Sequence, residues 1–371
     1  MKSLKIVLAA GVAAAAIATT AGPAAAAATP LKPLDPAALQ QALTIDQPGA
    51  ATAALLRVSG TAGSWAGASG VADRRTGRLA CPDDRFRIGS VTKVFTSAVT
   101  LQLAAEGKIG LDKPVQSYLP GLLPAAFEPI SVGQLLNHTS GLPFEVKPDY
   151  DFASTAWQLE HRYDVADREE FIRYVTRTGP MAKPGTAQQY NGANYILAGL
   201  LIERVTGHSY ATEVERRISR PLGLHHTSSP VNDTRIRGHH THGYQITDNG
   251  LVDVTRWNQS MFVGEGNIVS TTADVDRFVT ALLSGRLLPA EYQAKLFELP
   301  AVPGAKFSMG LMAYQINGVL LWGKTGSRPG YTNGVFGTAD GQRVITYSVN
   351  TTDMQSTTMP VIVQNIAKVT F

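Results

Sequence analysis

Segments with the pattern of β-strands lie near both ends of this chain, and a long helix-rich stretch separates them. The early pair is Ala51–Ser59 and Ser64–Val71, and the short connection Gly60–Gly63 between them predicts a hairpin. The late set, in which Asp340 and Gly341 mark a two-residue hairpin turn, is Met309–Ile316, Val319–Gly323, Gly334–Thr338 and Arg343–Asn350. We therefore predict an α+β fold, in which both chain ends build one antiparallel sheet flanked by helices, with an inserted helical domain.

The chain divides into three predicted segments. Residues 1–28 have the features of a secretory signal, with Lys2 and Lys5 before the apolar stretch Ile6–Thr19 and a small-residue cleavage site within Ala24–Ala28. Residues 29–48 are rich in proline and alanine and are predicted to form a linker and a first short helix. Residues 49–371 form the main folded domain, with an α/β part at about 49–110 and 288–371 and a helical part at about 111–287. A cleft between these two parts is the expected ligand site.

Composition excludes several classes of protein. The chain has 371 residues, of which 44% are hydrophobic and 17% charged, which is typical of a globular protein. Its 33 basic residues include Lys2 and Lys5, so removal of the signal leaves 31 against 29 acidic residues, and no basic block suggests a nucleic-acid partner. After the signal no apolar run is long enough to cross a membrane. Cys81 is the only cysteine, so no intrachain disulfide can form. We expect an exported, soluble protein, either released or weakly associated with the cell surface, and we expect it to be a monomer.

The motif Ser90-Val91-Thr92-Lys93 stands at the start of the apolar helix predicted over Val91–Glu106. Because positions i and i+3 share a helix face, Ser90 and Lys93 can touch. A serine hydroxyl becomes a nucleophile when a base takes its proton, and a buried lysine of lowered pKa can be that base. A serine that caps the helix, followed by an exposed lysine, gives the same four letters, so the motif alone is not specific.

Two further motifs with candidate catalytic residues lie later in the chain. Lys324-Thr325-Gly326 follows the predicted strand Val319–Gly323, where a glycine lets a substrate backbone approach closely. There Lys324 supplies positive charge, Thr325 and Ser327 supply hydroxyls for a substrate carboxylate, and the Ser327 backbone N–H is a candidate oxyanion donor. Tyr190 precedes an apolar helix, and a tyrosine near two lysines can relay protons. The alternatives without a catalytic role are that Lys324-Thr325-Gly326 is an ordinary strand end and that Tyr190 is a half-buried aromatic residue.

Taken together, these motifs resemble the serine penicillin-recognising enzymes, in which Ser90, Tyr190 and Lys324 would follow in the family's order and approximate spacing. The similarity extends to further segments, which are Phe86–Lys93, Gln134–Leu142, Leu200–Glu203, Pro221–Leu224 and Ser270–Asp274. From about Ala50 to its end the chain looks like exported D-alanyl-D-alanine carboxypeptidases, class C β-lactamases and related esterases. The resemblance implies a β-lactamase/DD-peptidase-like catalytic domain over residues 49–371.

The resemblance also implies a mechanism. Ser90 would form an acyl-enzyme, Lys93 and Tyr190 would share the proton transfers, and the backbone N–H groups of Ser90 and Ser327 would hold the oxyanion. The residues implied to line the substrate groove are Lys324, Thr325, Gly326 and Trp257. Neither a metal nor an organic cofactor is implied. The implied partners are D-Ala-D-Ala-like peptides or esters, with β-lactams as covalent ligands.

Three positions depart from the family pattern. Gly192 stands where the family's Tyr-x-Asn motif has the asparagine that holds a substrate amide, and Asn194, close by but out of register, is the substitute candidate. The strand predicted over Met309–Ile316 lacks the arginine that holds a terminal carboxylate, so Arg328 is the candidate for that task, with a solvent-facing turn residue as the alternative. Glu265 replaces a small apolar residue, and it either meets an amine of the substrate or leaving group or lies in a surface loop.

The function that we expect is that of a D-alanyl-D-alanine carboxypeptidase acting on peptidoglycan stem peptides through an acyl-enzyme on Ser90. The alternatives are an esterase, a D-amino-acid peptidase or amidase, a β-lactamase, and a peptide cyclase or transpeptidase. Gly192 favours the esterase, whereas Lys324 and the export signal favour the carboxypeptidase. A binding protein that keeps the fold without turnover is the non-enzymatic alternative.

Overall fold

The computed structural model describes residues 31–47, 49–143, 150–152, 154–353, 356 and 358–371. The predicted secretory signal at residues 1–28 lies outside these residues. Within the described chain, no helix is both long and apolar enough to span a lipid bilayer.

A seven-stranded antiparallel sheet draws its strands from both ends of the chain, in the order β3-β2-β1-β11-β10-β9-β8. Two small ladders, β4 with β7 and β5 with β6, lie apart from it. The strands are β1 Ala51–Ser59, β2 Trp65–Asp73, β3 Arg78–Leu79, β4 Phe86–Arg87, β5 Tyr244–Thr247, β6 Gly250–Asp253, β7 Val269–Ser270, β8 Met312–Ile316, β9 Val319–Arg328, β10 Tyr331–Gly337 and β11 Val344–Thr351. The predicted α+β class with a sheet built from both termini is confirmed.

Most of the helices lie between these two groups of strands, while the first helix precedes the sheet and the last follows it. The helices are α1 Pro36–Ala42, α2 Thr92–Ala105, α3 Val115–Tyr118, α4 Val132–Leu136, α5 Thr155–His161, α6 Arg168–Thr176, α7 Ala193–Thr206, α8 Tyr210–Val214, α9 Arg220–Leu222, α10 Thr272–Leu283, α11 Ala290–Lys295 and α12 Val361–Thr370. Single turns of 3-10 helix cover Gly89–Val91 and Ser260–Phe262, and a π-helical turn covers Glu215–Ser219.

Each face of the sheet packs against its own hydrophobic core. One core joins α1 and α12 to the strands β1, β9 and β11, with Leu43, Leu56 and Ile366 among its buried members. The other fills the space between the sheet and the remaining helices and includes the stacked rings of Phe95 and Phe278, whose centroids lie 3.8 Å apart. Burial of these apolar side chains is the main favourable contribution to folding.

Helix α2 runs through the larger core, and nearly all of its side chains are buried. Polar groups inside such a helix need partners. The Thr100 hydroxyl donates to the Thr96 carbonyl at 2.8 Å, and the Thr96 hydroxyl donates to the Gly264 carbonyl at 2.6 Å. The helix ends where Gly107 adopts a left-handed φ of +71°, and the Lys108 N–H closes the end on the Leu103 carbonyl at 3.0 Å. The Ser90 motif lies in the 3-10 turn Gly89–Val91 and the first two residues of this helix.

Strand β9 is longer than the sequence pattern predicts. We expected it to end at Gly323, with Lys324 to Gly326 in the following turn, but it continues to Arg328 because backbone pairing with β10 extends as far as Tyr331. The lysine therefore lies inside a strand. The hairpin β5–β6 and the short strands β3 and β7 were not predicted either, since each is too short to give a periodic pattern.

The turn that carries Ser90 packs directly against β9. A Cβ at Gly326 would collide with the Ile88 carbonyl oxygen and lie 3.1 Å from the Ser90 backbone nitrogen. A Cβ at Gly89, whose φ is +52°, would lie 2.5 Å from the Ser327 carbonyl oxygen and 2.7 Å from its nitrogen. Only glycine at both positions allows this approach of the two backbones.

We predict that Gly326→Ala separates β9 from the Ser90 turn. The added methyl group has no space, so the free energy of unfolding should fall by about 3 kcal/mol, near the upper end of overpacking effects. Thr325→Ala, at the exposed neighbouring position of the same strand, should change it by less than about 1 kcal/mol. Urea denaturation of both variants measures the difference, and equal stabilities would contradict the close packing.

Candidate active site

Ser90 lies in the 3-10 turn that joins β4 to α2, and it is the partly exposed residue of that turn. The backbone on its N-terminal side is held from two directions. The Ile88 N–H donates to the Ile268 carbonyl at 3.0 Å, and the side-chain amide of Asn333 donates to the Arg87 carbonyl at 2.8 Å. Because these anchors come from separate segments, the hydroxyl of Ser90 is presented at a defined position.

Lys93 lies one helical turn after Ser90, and its side chain is only 1% exposed. Its ammonium nitrogen is 2.9 Å from the Ser90 hydroxyl oxygen and 2.9 Å from the backbone oxygen of Glu265. It also forms an ion pair with the Glu265 side-chain oxygen Oε1. Burial lowers the pKa of Lys93 to about 8, while the negative charge of Glu265 acts in the opposite direction. A lysine of this pKa can exchange a proton near neutral pH.

Tyr190 lies in the loop before α7 and faces both lysines. Its ring centroid is 5.2 Å from the Lys93 nitrogen and 4.6 Å from the Lys324 nitrogen. Its hydroxyl oxygen is buried, with no hydrogen-bond partner within the described residues. Burial raises the pKa of Tyr190, although the charge of Lys324 and the nearby hydroxyl of Ser90 favour the phenolate. The unsatisfied hydroxyl is therefore placed to accept or donate a proton when a substrate arrives.

Lys324 enters the site from β9 and is almost fully buried. Its ammonium donates to the Thr325 carbonyl at 2.9 Å and lies 5.7 Å from the Phe307 ring centroid. Burial lowers the pKa of Lys324, as does the charge of Lys93, whereas Tyr190 opposes the shift. The structure thus brings Ser90, Lys93, Tyr190 and Lys324 into one cluster.

His138 supports this cluster from behind. Its Nδ1 accepts from the Asn191 N–H at 3.3 Å and lies 3.2 Å from the Asn194 side-chain nitrogen. Its ring packs 4.6 Å from that of Tyr190. Burial first, and then the charges of Lys93 and Lys324, hold the pKa of His138 well below its ordinary value. A neutral imidazole that accepts at Nδ1 orients the tyrosine loop, and no hydrogen bond joins it to Ser90 within the described residues.

Glu265 and Arg328 form a pair that the sequence did not predict. Arg328 donates to the Glu265 Oε2 at 2.7 Å and to the Gly266 carbonyl at 3.1 Å, and its guanidinium carbon lies 3.8 Å from the Phe262 ring centroid. Burial opposes ionisation of Glu265, but Lys93 and Arg328 outweigh it and lower the pKa of Glu265 to about 2. Arg328 is therefore not the solvent-facing turn residue considered above, and Glu265 is not part of a surface loop.

The remaining substrate candidates lie in different environments. Thr325 and Ser327 are exposed on β9, on either side of buried Gly326, and so their side chains are open to a ligand. Asn194 is fully buried in the first turn of α7 and turns toward His138. Trp257 is also buried, and its backbone bonds with Thr234. Both side chains are therefore largely shielded from solvent in this structure.

The arrangement can carry out acyl transfer without a bound metal. It combines a serine at a backbone turn, a buried lysine in hydrogen-bond contact with it, and a second lysine and a tyrosine with perturbed pKa values. Among the described residues, no group of three histidine, cysteine, aspartate or glutamate side chains could hold a metal ion. The fold and this cluster define a serine hydrolase of the type that includes β-lactamases and penicillin-binding proteins.

Comparison with known families agrees with this class. Residues 38–362 match the family model described as Beta-lactamase, and the chain belongs to that family. The resemblance noted in the sequence is thereby confirmed. The teichoic acid D-alanine hydrolase of Staphylococcus aureus is 29% identical over 218 residues, which make up 59% of this chain and 51% of that relative. The match therefore spans about half the length of the curated relative.

Two solved structures resemble the protein over most of its length. A D-stereospecific amidohydrolase from Streptomyces sp. is 31% identical with a TM-score of 0.80, covering 91% of this chain and 98% of the other. The D-amino acid amidase from Ochrobactrum anthropi is 25% identical with a TM-score of 0.77, covering 90% and 96% of the two chains.

We predict that Tyr190→Phe separates activity from stability. The hydroxyl that this change removes has no hydrogen-bond partner, so the midpoint of thermal unfolding should stay the same or rise. Turnover of an ester substrate should fall about 100-fold or more, as for loss of a proton-transfer group.

Tyr195→Phe is the matched control. The Tyr195 hydroxyl donates to the Leu136 carbonyl at 2.7 Å and lies 3.0 Å from the Ser97 hydroxyl. Its loss should therefore cost about 1–3 kcal/mol of stability. Differential scanning calorimetry and ester hydrolysis distinguish the two variants, and a large loss of stability in Tyr190→Phe would contradict the assignment.

Proposed function

We propose that this protein is a D-stereospecific serine amidohydrolase, which cleaves amides and esters of D-amino acids through an acyl-enzyme on Ser90. The observation that carries the proposal is the pairing of Glu265 with Arg328 beside the nucleophile. It leaves a carboxylate next to Ser90 and engages the guanidinium that a carboxypeptidase would need for a terminal carboxylate. The similarity to a D-stereospecific amidohydrolase and to a D-amino acid amidase supports the same substrate class.

The acylation step uses the residues of the cluster in sequence. Neutral Lys93 takes the hydroxyl proton of Ser90 while the serine oxygen bonds to the substrate carbonyl carbon. The backbone N–H groups of Ser90 and Ser327 stabilise the oxyanion, and the charge of Lys324 stabilises it further. Tyr190 passes a proton from Lys93 to the leaving nitrogen or oxygen, the bond from carbonyl carbon to leaving group breaks, and the amine or alcohol departs. Water then attacks the acyl-enzyme by the reverse route.

A D-alanyl-D-alanine carboxypeptidase is the second candidate. The exposed side chains of Thr325 and Ser327 favour it, because two hydroxyls beside the Lys324 charge can hold a substrate carboxylate. In that role Arg328 would not hold the substrate carboxylate, since it is paired with Glu265, and the Asn194 amide is engaged with His138.

We also propose that the protein is exported. The support is the pattern of residues 1–28, in which Lys2 and Lys5 precede the apolar stretch Ile6–Thr19 and a run of alanines. An exported hydrolase of this class would meet D-amino acid derivatives of the cell envelope.

The substrate class can be tested with paired enantiomers. Ammonia release from D-alaninamide and D-phenylalaninamide should exceed release from the L-amides roughly 100-fold. Ser90→Ala should reduce it about a thousandfold or more, because the nucleophile is lost. Ser64→Ala, an exposed serine in a turn, is the control and should retain full activity.

The same assay separates the alternatives. Faster release of D-alanine from a diacylated D-Ala-D-Ala peptide than of ammonia from D-amides would assign the protein as a carboxypeptidase. Absence of turnover on amides, esters and peptides alike would leave the binding protein as the remaining function.

A further inference from the structure

All three protons of the Lys93 ammonium have acceptors in this structure. They are the Ser90 hydroxyl oxygen, the Glu265 backbone oxygen and the Glu265 side-chain oxygen Oε1. An ammonium has three donors and no acceptor, so this geometry is that of the protonated lysine. In this state Ser90 accepts a hydrogen bond from Lys93, and Lys93 cannot take the serine proton. Loss of one proton from Lys93 is therefore the step that frees a lone pair for the serine proton.

Glycines on two segments make room for the carboxylate that holds Lys93. A Cβ at Gly192 would lie 3.3 Å from Glu265 Cγ and 3.4 Å from its Oε1, closer than nearly all ordinary contacts of a Cβ atom. A Cβ at Gly266 would lie 2.7 Å from the Arg328 guanidinium carbon. The Gly192 position is the one where family members carry the substrate-binding asparagine. A side chain at position 192 would therefore compete with Glu265 for space.

The turn that carries Glu265 is held firmly. The Glu265 and Gly266 N–H groups donate to the Phe262 carbonyl at 2.9 and 2.8 Å, and Asn267 Oδ1 accepts from the Gly264 N–H at 3.2 Å. The Thr96 hydroxyl donates to the Gly264 carbonyl at 2.6 Å and so joins the turn to α2. The position of the carboxylate is therefore part of the fold.

The charges around this carboxylate are mostly positive. Lys93 on α2 and Arg328 on β9 both pair with this carboxylate, and Lys324 on β9 adds a third positive charge nearby. Tyr190 and His138, which also face the site, are neutral. A further cation that binds here adds to the repulsion among the cationic groups. Lys93 is the cation in direct contact with this carboxylate, so loss of its proton relieves the repulsion where the new cation binds.

We propose that Glu265, fixed by Arg328, is the receptor for a free ammonium group next to the scissile carbonyl of the substrate, and that this ammonium replaces Lys93 as the partner of the carboxylate. The inference rests on the proposed function and specifies its substrates as D-amino acid derivatives with an unmodified α-amine. On binding, Lys93 releases one proton to solvent water and becomes the neutral amine that takes the Ser90 proton.

Distances permit the exchange. Glu265 Oε1 lies 3.5 Å from the Ser90 hydroxyl oxygen. The α-nitrogen of an amino acid lies about 2.5 Å from its carbonyl carbon, and the attacking oxygen approaches that carbon to about 3 Å. An α-ammonium can therefore reach the carboxylate while its carbonyl is at Ser90. The Glu265 side chain is 13% exposed against 1% for Lys93, so Glu265 is the more accessible partner of the pair.

The test compares D-alanine p-nitroanilide with its N-acetyl derivative at pH 6.5, where the substrate amine and Lys93 both carry protons. Wild-type protein should show a kcat/KM about 10- to 100-fold higher for the free amine, the value of one charge-assisted hydrogen bond. In Glu265→Gln this preference should disappear because kcat/KM falls for the free-amine substrate and not for the acetylated one. At pH 9.5 the preference of the wild type should also shrink, because an α-amine with a pKa of about 8 is then neutral.

A substrate without an amine reports the ionisation of Lys93 directly. With p-nitrophenyl acetate, kcat/KM of the wild type should rise with pH through the Lys93 pKa of about 8. Without the charge of Glu265 the protonated form of Lys93 is less favoured. In Glu265→Gln the rise of kcat/KM should therefore occur about one pH unit lower. Glu265→Asp, which keeps the charge, should retain both the preference and the pH dependence. Glu298→Gln, an exposed surface glutamate, is the control and should behave as wild type.

Three other results would each overturn a specific part of the proposal. Equal kcat/KM of the wild type for the free and acetylated anilides would overturn the ammonium receptor and leave the proposed function intact. Turnover of p-nitrophenyl acetate without turnover of any D-aminoacyl compound would overturn the proposed function, and the receptor with it. If kcat/KM of Glu265→Gln fell equally for both anilides and p-nitrophenyl acetate, and its pH dependence stayed unchanged, Glu265 would have only a structural role.

Discussion

The contact between the Ser90 turn and strand β9 is the constraint on which the rest of the site depends. Gly89 and Gly326 bring the two backbones together, so that the nucleophile from one end of the chain meets Lys324 from the other. The antiparallel sheet makes this possible, because β1 and β11 pair in its centre and fix the two termini relative to each other. The site is thus a consequence of the sheet topology and of two positions without side chains.

Electrostatics give this framework its chemistry. Three cationic side chains, Lys93, Lys324 and Arg328, surround one carboxylate, Glu265, in a largely buried volume. Burial makes the charged lysines costly, which moves their pKa values toward neutrality, and the carboxylate limits how far Lys93 moves. Such a buried charge cluster contributes little to stability by itself, and it suits a site where a proton must change position during the reaction.

Much of the fold could be predicted because its signals are local. The hairpin of β1 and β2, the apolar helix α2 with its glycine end and the late strands all follow from periodicity and turn residues. The extension of β9 to Arg328 and the inward position of Glu265 could not be predicted, because they depend on contacts between distant segments. The pair of Gly192 with Glu265 carried a signal in the sequence, since a small residue and a carboxylate both departed from the family pattern. Its meaning requires knowledge that the two are neighbours.

Intact mass spectrometry with a fluorophosphonate tests the claim that Ser90 is a nucleophile activated by Lys93. The wild type should gain the mass of one phosphonyl group, located by peptide mapping to the segment that contains Ser90. Ser90→Ala should gain none, and Lys93→Met should react far more slowly while remaining folded, because the serine proton then has no acceptor. Labelling that persists in Ser90→Ala, or an undiminished rate in Lys93→Met, would contradict the claim.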